Sequence, residues 1–424
     1  MTGSDTAPAV VSFRGLTCRE LYKSIFEADA PEQVVRQLPS QSLFMVVKQM
    51  GLTACTDLLA MASIEQCRTL ADFDLWEGDR LNEAALWEWL SLTDDGDSLE
   101  LLQKILKCVD LKLLAILIGR YVEAKVFDEP TEQPPGPGFY TPDKGYTWVG
   151  IHAENPDHHF LLARLLALVF ESSAELFYQL MATPSVATLS VLEEESYVER
   201  SKRLAAEGVP ELEVAAHIHA SFSKHDALRT VGEPGQAAII EDVRTIEPLV
   251  YESRATRLFA ELMRRVSDRE SVEMEFTYLM NAAVVWFRVD FSEQDRVFVL
   301  AEQVKGAINL ALERLVQDGT VSLREAYDKL GLGKLYRLGL TELLSLRRRS
   351  QRIPVETIER LSRDDKPLFA VIACIREHFP SMPLCINDDG SVVEPQGGVL
   401  PSGSRPIETV VAVESIKRVL ESLP

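Results

Sequence analysis

From Arg14 to Phe127 apolar residues recur at helical spacing in short runs, each bracketed by a turn or a capping signal. Helices of only about ten residues do not hold alone in water. They must bury against stacked neighbours, as in helical repeats, and the loose spacing here reads as a degenerate repeat. In Leu38–Gly51, Leu43, Val46, Val47 and Met50 fall on one face and Gly51 stands where a helix stops. Thr53 is expected to cap the next helix, which buries Leu58 and Leu59. Ser63 and Gln66 have capping-box spacing and open a third. Leu81, Leu86, Trp89 and Leu90 mark a fourth. Leu101, Leu102, Ile105 and Leu106 mark a fifth after the turn Asp94–Asp97, and Asp110 precedes a sixth carrying Leu113, Leu114, Leu117 and Ile118.

Pro130, Pro134, Pro135 and Pro137, with Gly136 and Gly138, make residues 128–138 a stiff non-helical linker. Tyr140–Tyr146 has turn chemistry and Tyr146–Ile151 favours β structure, so a small hairpin is expected there. Helices resume near Pro156 and run through Met181, where Pro184 interrupts them; another continues to about Glu207. Long amphipathic helices are then expected over about 211–226, 236–268, 271–289, 292–318, 322–331, 333–352 and 365–379. After Pro383, Cys385–Val393 reads as a hairpin turning at Asp389-Gly390, and a last helix covers about 408–423. The expected fold is mainly α: a superhelical array of short helices (14–127), a linker and small hairpin (128–153), a helical domain (154–380), and a C-terminal hairpin, loop and helix (381–424).

The net charge of −21 over 424 residues argues against nucleic acid as a partner, because phosphate recognition needs a dense positive field. It argues equally against anionic lipid. The most apolar windows, Leu111–Gly119 and Leu161–Phe170, are interrupted by Lys112 and Arg164 and fall short of the roughly 20 residues that span a bilayer. Met1–Ser12 lacks a positive region followed by an apolar stretch, so no signal peptide is expected. Cys18, Cys55, Cys67, Cys108, Cys374 and Cys385 contain no C-x-x-C pair and mostly sit in apolar helical runs. They read as reduced, buried thiols of a cytoplasmic protein.

Candidate chemistry is sparse. His217 and His219 lie two apart on an expected helix and point away from each other, and metalloprotease spacing is absent. His158 and His159, at a helix start, are expected to face solvent. Asp72–Asp79 fails the calcium-loop pattern because Trp76 and Glu77 stand where an acid and a glycine are required. Gly331-Leu-Gly333-Lys334 is too short for a P-loop. Two charged clusters remain as candidate interaction sites. Glu193, Glu194 and Glu195, with Glu199, Arg200 and Arg203, form a dense helix face whose Glu199–Arg203 spacing suits a solvated ion-pair ladder or a partner contact. Arg347, Arg348, Arg349 and Arg352 are the strongest basic cluster, placed to complement a helix C-terminus or to meet an anionic ligand or acidic partner. No cofactor is expected, and the sequence names no catalytic residue.

The stretches Leu38–Gly51, Ser63–Gln66 and Asp74–Leu90, then Glu193–Leu204, then Leu335–Leu340 with the arginine run after it, together resemble a bacterial family of uncharacterised helical proteins. The short-helix array is more remotely similar to the cytoplasmic superhelical N-domain of MgtE-type magnesium transporters. In that family such an array is a magnesium-responsive gate element attached to a membrane pore. Two functional readings follow. One is a non-catalytic scaffold or regulatory adaptor that binds protein partners. The other is an enzyme or a small-ligand or divalent-cation sensor with a polar cleft between helical domains. The sequence sets no oligomeric state.

Overall fold

The computed structural model describes residues 17–92, 99–232, 257–317, 319, 321–395 and 400–423. The fold is mainly α, with a few short strand pairs. The chain divides into two compact units, Leu16–Leu204 and Ala205–Pro424.

In the first unit, α1 (Cys18–Glu27), α2 (Pro31–Gln37), α3 (Ser40–Met50), α4 (Thr56–Met61) and α5 (Ile64–Asp74) follow one another closely. α6 (Glu83–Ser91), α7 (Leu99–Cys108) and α8 (Leu111–Tyr121) complete the short helices. Local chemistry sets the boundaries. Thr17 and Glu20 form a capping box on α1, and Ser63 and Gln66 form the expected one on α5. Asn82 caps α6, Asp110 caps α8, and Gly51 ends α3 at φ 94°. Thr53 does not cap: it begins a 3-10 turn, Thr53–Cys55, that feeds α4 directly. Burial comes from packing between neighbouring and next-but-one helices: α1 on α2 and α3, α2 on α4, α3 on α5, α5 on α7, with α6 on α9 (Pro156–Ser172) and α8 on α10 (Ala174–Val186). Ten-residue helices thereby keep Leu21, Ile25, Leu43, Leu58, Leu70 and Leu86 fully out of water.

The acidic stretch after α5 becomes a minimal hairpin, β1 (Trp76–Glu77) on β2 (Arg80–Leu81), turning at Gly78. The proline-rich segment lies inside the first unit. It joins β3 (Val122–Val126) to β4 (Phe139–Tyr140), and both flank β5 (Thr147–Ile151) in an antiparallel sheet ordered β3-β5-β4. The expected hairpin is thus the second half of a three-stranded sheet. α9 (Pro156–Ser172) and α10 (Ala174–Val186) follow; they part at Ser173, whose hydroxyl accepts the Leu176 N–H, while Pro184 is accommodated inside α10. α11 (Leu189–Ala206) closes the unit. A Cβ on Gly119 of α8 would fall 2.6 Å from Leu189 and 2.9 Å from Pro184, so glycine permits this approach.

In the second unit, α12 (Leu212–Ile218) and α13 (Lys224–Gly232) replace the single helix expected over 211–226. The intervening backbone is held by α17 (Leu323–Ser350): Thr341 accepts the Phe222 N–H, and Arg337 donates to the Ala220 and Ser221 carbonyls. Tertiary partners here satisfy backbone groups that a continuous helix would have satisfied internally. Of the helix expected over 236–268, residues 233–256 lie outside the described residues, and α14 (Arg257–Arg265) covers the end. α15 (Arg269–Phe287) and α16 (Gln294–Val316) match their expected spans closely. α17 is broken at Gly331 (φ 63°, ψ 173°), which agrees with two expected helices meeting there.

The core of this unit is the crossing of α16 and α17. A Cβ on Gly339 would lie 1.9 Å from the Ala307 carbonyl oxygen, so the two backbones touch at that glycine. α18 (Val355–Asp364), which the sequence reading leaves out, precedes α19 (Lys366–Arg376). The C-terminal hairpin is reassigned. β6 (Ser381–Pro383) pairs with β7 (Ser404–Pro406), and the expected pairing around Asp389-Gly390 survives only as one bridge, Ile386 to Val392. α20 (Val410–Glu421) packs on α17 and α16. Asn309 braces these parts: its Oδ1 accepts the Leu258 and Phe259 N–H groups at the start of α14, and its Nδ2 donates to the Glu408 carbonyl.

Candidate functional site

The charged face of α11 is tied to its own unit through Glu193, Ser196, Arg200 and Arg203, while Glu194, Glu195 and Glu199 stay exposed. Arg203 grips the Asp72 carboxylate with two hydrogen bonds of 2.7 Å, and Arg200 donates to the Asp72 carbonyl at 2.6 Å. The Arg200 guanidinium also lies over the rings of Trp76 and Tyr197. Burial pushes the Asp72 carboxyl above its ordinary value, and Arg203, Arg200 and Arg68 pull against that. The Asp72 carboxylate in turn holds the Arg203 guanidinium above its ordinary value. Glu193 accepts the Leu81 N–H at 2.8 Å and Ser196 donates to Asp110 at 2.9 Å. The expected Glu199–Arg203 ladder gives way to longer-range pairs, because Glu199 takes Lys112 at 2.7 Å and Glu195 approaches the same ammonium at 3.6 Å. Glu194 alone of the three consecutive glutamates has no such tie and is exposed.

The arginine run at the end of α17 works as a set of caps. Arg347 donates to the Arg376 carbonyl that ends α19, while Arg376 donates back to the Ser350 and Ile353 carbonyls that end α17. Each arginine thus neutralises the other helix's unpaired carbonyls. Arg349 pairs with Glu421 of α20 at 3.0 Å, and Arg348 folds back on the Leu344 carbonyl of its own helix. Arg352 is exposed. Nearby, Arg314 of α16 forks onto Glu342 of α17 and reaches Glu414 of α20.

Other sequence candidates resolve in the same way. His159 is exposed, but His158 stacks on the Trp87 indole, with centroids 4.1 Å apart and planes 9° apart, so it does not simply face solvent. In the acidic stretch, Asp74 receives both Lys48 and the Trp89 indole N–H, leaving Asp72 and Asp74 engaged with protein groups. The turn at 94–97 lies outside the described residues. Among the described residues no group of three His, Cys, Asp or Glu side chains is arranged to hold a metal ion. No described helix is long and apolar enough to cross a membrane.

Two buried polar arrangements have no clear sequence signal, since each depends on residues far apart. His219, the C-cap of α12, directs Nδ1 to the Ala215 carbonyl at 2.7 Å, which fixes Nδ1 as the protonated nitrogen. Its ring is surrounded by Trp286, Phe287 and Tyr336, and its Nε2 and the Tyr336 hydroxyl are buried without a hydrogen-bond partner. Burial lowers the His219 pKa to about 4, so the imidazole is neutral. The second is Glu275. Its carboxylate accepts the Gly333 N–H at 3.1 Å, with Leu332 and Tyr327 as further partners, and burial raises its pKa. The helix N-terminus created by the break at Gly331 is therefore occupied by the chain's own carboxylate.

An open groove of about 480 Å³ lies in the first unit beside the start of α5. Arg36, Lys104 and Lys107 line it with Glu65, Glu100 and the capping Ser63. Lys104 also donates to the Ala60 and Ala62 carbonyls and so closes the end of α4.

Residues 9–391 match the family described as a family of unknown function, DUF6178. The chain belongs to that family. The match takes in all three sequence blocks noted above, from the short helices through α11 to the arginine run. No curated protein and no solved structure matches the chain.

Proposed function

We propose that this DUF6178 chain is a non-catalytic cytoplasmic adaptor whose short-helix segment, residues 14–127, holds an acidic segment of a protein partner in the groove beside α5 and α7. The groove carries the reading: Arg36, Lys104 and Lys107 line it with Glu65 and Glu100, three cations to two acids, in a chain of net charge −21. A locally basic groove in an acidic body selects an acidic partner through electrostatic complementarity. Next-but-one packing of α1 on α3, α2 on α4, α3 on α5 and α5 on α7 supports the reading too, since stacked helical arrays present extended binding surfaces. Glu194, Arg348 and Arg352, which are exposed, stay as candidate contacts, whereas Arg200, Arg203, Arg347 and Arg349 serve first as internal ties.

The test places a photo-cross-linking residue at Gln103 or Lys107, and at Val299 of the other unit as a control, in the full chain in its native cell. Adducts to one protein from the groove positions, absent from position 299 and, for the residue at position 103, lost with Arg36→Glu plus Lys107→Glu, are the expected result. Equal adducts from all three positions, or none from the groove, would overturn the proposal.

A further inference from the structure

The three-stranded sheet of the first unit ends on a strand with an open side. β3 pairs with β5, and among the described residues no strand lies along its other edge. The pairing fixes which residues face that edge. The Phe127 N–H donates to the Tyr146 carbonyl and the His152 N–H donates to the Tyr121 carbonyl. In this antiparallel ladder Glu123 and Lys125 therefore turn their backbone groups to β5, while Val122, Ala124 and Val126 turn theirs away. The Val122 N–H closes α8 on the Ile118 carbonyl. The Val122 carbonyl and both backbone groups of Ala124 and Val126 are left as a template for another strand.

The side chains divide by face. Val122, Ala124 and Val126 share a face with Val149 and Ile151, which are buried, yet Ala124 is exposed and Val126 is 73 % exposed. The apolar face of the sheet thus runs on past its last strand. Glu123 and Lys125 share the opposite face, 3.3 Å apart, with the Lys125 ammonium over the Phe139 ring.

We propose that β3 pairs with β3 of a second copy of this chain, antiparallel about a two-fold axis at Ala124, so that the two sheets become one. The strand reads Val-Glu-Ala-Lys-Val, and reversed it is its own charge complement. Each Ala124 exchanges both its backbone hydrogen bonds with its counterpart, and each Val126 N–H donates to the Val122 carbonyl across the axis. Val126 stands opposite Val122 on the apolar face. Glu123 stands opposite Lys125 on the other, and the symmetry repeats each pair. The charges also select the register. Sliding one strand by two residues keeps the same edges facing but sets Glu123 against Glu123 or Lys125 against Lys125. Charges on an edge strand commonly bar such pairing, whereas these accept it in one register. The paired edges are short, so the dimer is reversible and depends on concentration. None of the residues that line the groove beside α5 takes part.

The test follows the mass of the full chain by sedimentation velocity over a broad range of concentration. A monomer–dimer equilibrium that moves toward dimer as concentration rises is the expected result. Ala124→Pro removes an outward N–H and leaves every bond to β5 in place, so it weakens association by at least about tenfold with an unchanged circular dichroism spectrum. Glu123→Lys alone and Lys125→Glu alone each set like charges across the axis and shift the chain to monomer. Mixed in equal amounts, these two variants pair with each other, because every lysine of one then meets a glutamate of the other. A wild-type chain that stays monomeric at every concentration would overturn the proposal and leave the edge to an extended segment of another protein. So would a dimer that survives Ala124→Pro, or charge variants that fail to pair when mixed. The mixing experiment needs no proline, so a poorly folded Ala124→Pro chain leaves the proposal falsifiable.

Discussion

The pairing of Arg203 with Asp72 converts a charged helix face into a staple, and its two ends are not equivalent. The Asp72 side chain is 8 % exposed, whereas that of Arg203 keeps 32 %. Removing one partner of a fully buried pair costs about 3–5 kcal/mol, because a charge is left without compensation. Asp72→Asn leaves the guanidinium able to turn to water, so the loss is about 1–2 kcal/mol. Arg203→Met strands a buried carboxylate that still feels Arg200 and Arg68, for a loss of about 2–4 kcal/mol. The larger loss lowers the melting temperature of a unit this size by about 5–12 °C. The double variant gives less than the sum of the singles, with a coupling of about 1–2 kcal/mol. Tryptophan fluorescence reads the first unit alone in a Trp286→Phe background, since Trp76, Trp87, Trp89 and Trp148 all lie in that unit. If Arg203→Met is no more destabilising than Asp72→Asn, the asymmetry argument is wrong.

Three further outcomes follow from the second unit. Gly339→Ala places a methyl 1.9 Å from the Ala307 oxygen and destabilises by about 2–4 kcal/mol despite alanine's better helix propensity, whereas Gly333→Ala, with nothing within 4 Å, is neutral or gains up to about 1 kcal/mol; urea midpoints compare the two. Because His219 is neutral down to about pH 4 in the fold and titrates near 6.5 when unfolded, the unfolded chain binds the extra proton in that window. Stability therefore falls by about 3 kcal/mol as pH drops from 6.5 to 4, and His219→Phe removes that part of the slope in unfolding measured across this range. Glu275→Gln keeps an acceptor for the Gly333 N–H and changes stability by less than about 1 kcal/mol. Glu275→Ala orphans the start of the second α17 segment and costs about 2 kcal/mol, measured by thermal melting followed by circular dichroism.

Where the determinants are local, the sequence reading holds: the Ser63–Gln66 capping box, the Gly51 stop, the Asp110 cap and the Gly331 break all rest on residues within one turn of each other. It fails where a distant side chain supplies a backbone partner. The break between α12 and α13 depends on Arg337 and Thr341, more than a hundred residues away, and the strand opposite β6 arrives from beyond a loop at 404–406. The same applies to the candidate sites. Periodicity finds the charges on α11, but the choice between a solvated ladder and a staple is made by Asp72, 131 residues upstream of Arg203.

The position of α20 separates two ways of drawing the limits of this protein. The family match stops at residue 391, short of both β7 and α20. Yet Val410, Ala412, Val413 and Ile416 are buried, the Val410 N–H donates to Glu313, and Glu414 completes the Arg314 network. A polypeptide ended at the family boundary would lose the lid over α16 and α17 and present their apolar sides to solvent, an invitation to aggregate. The region that matches the family and the region that packs as one core are therefore different lengths of the same chain.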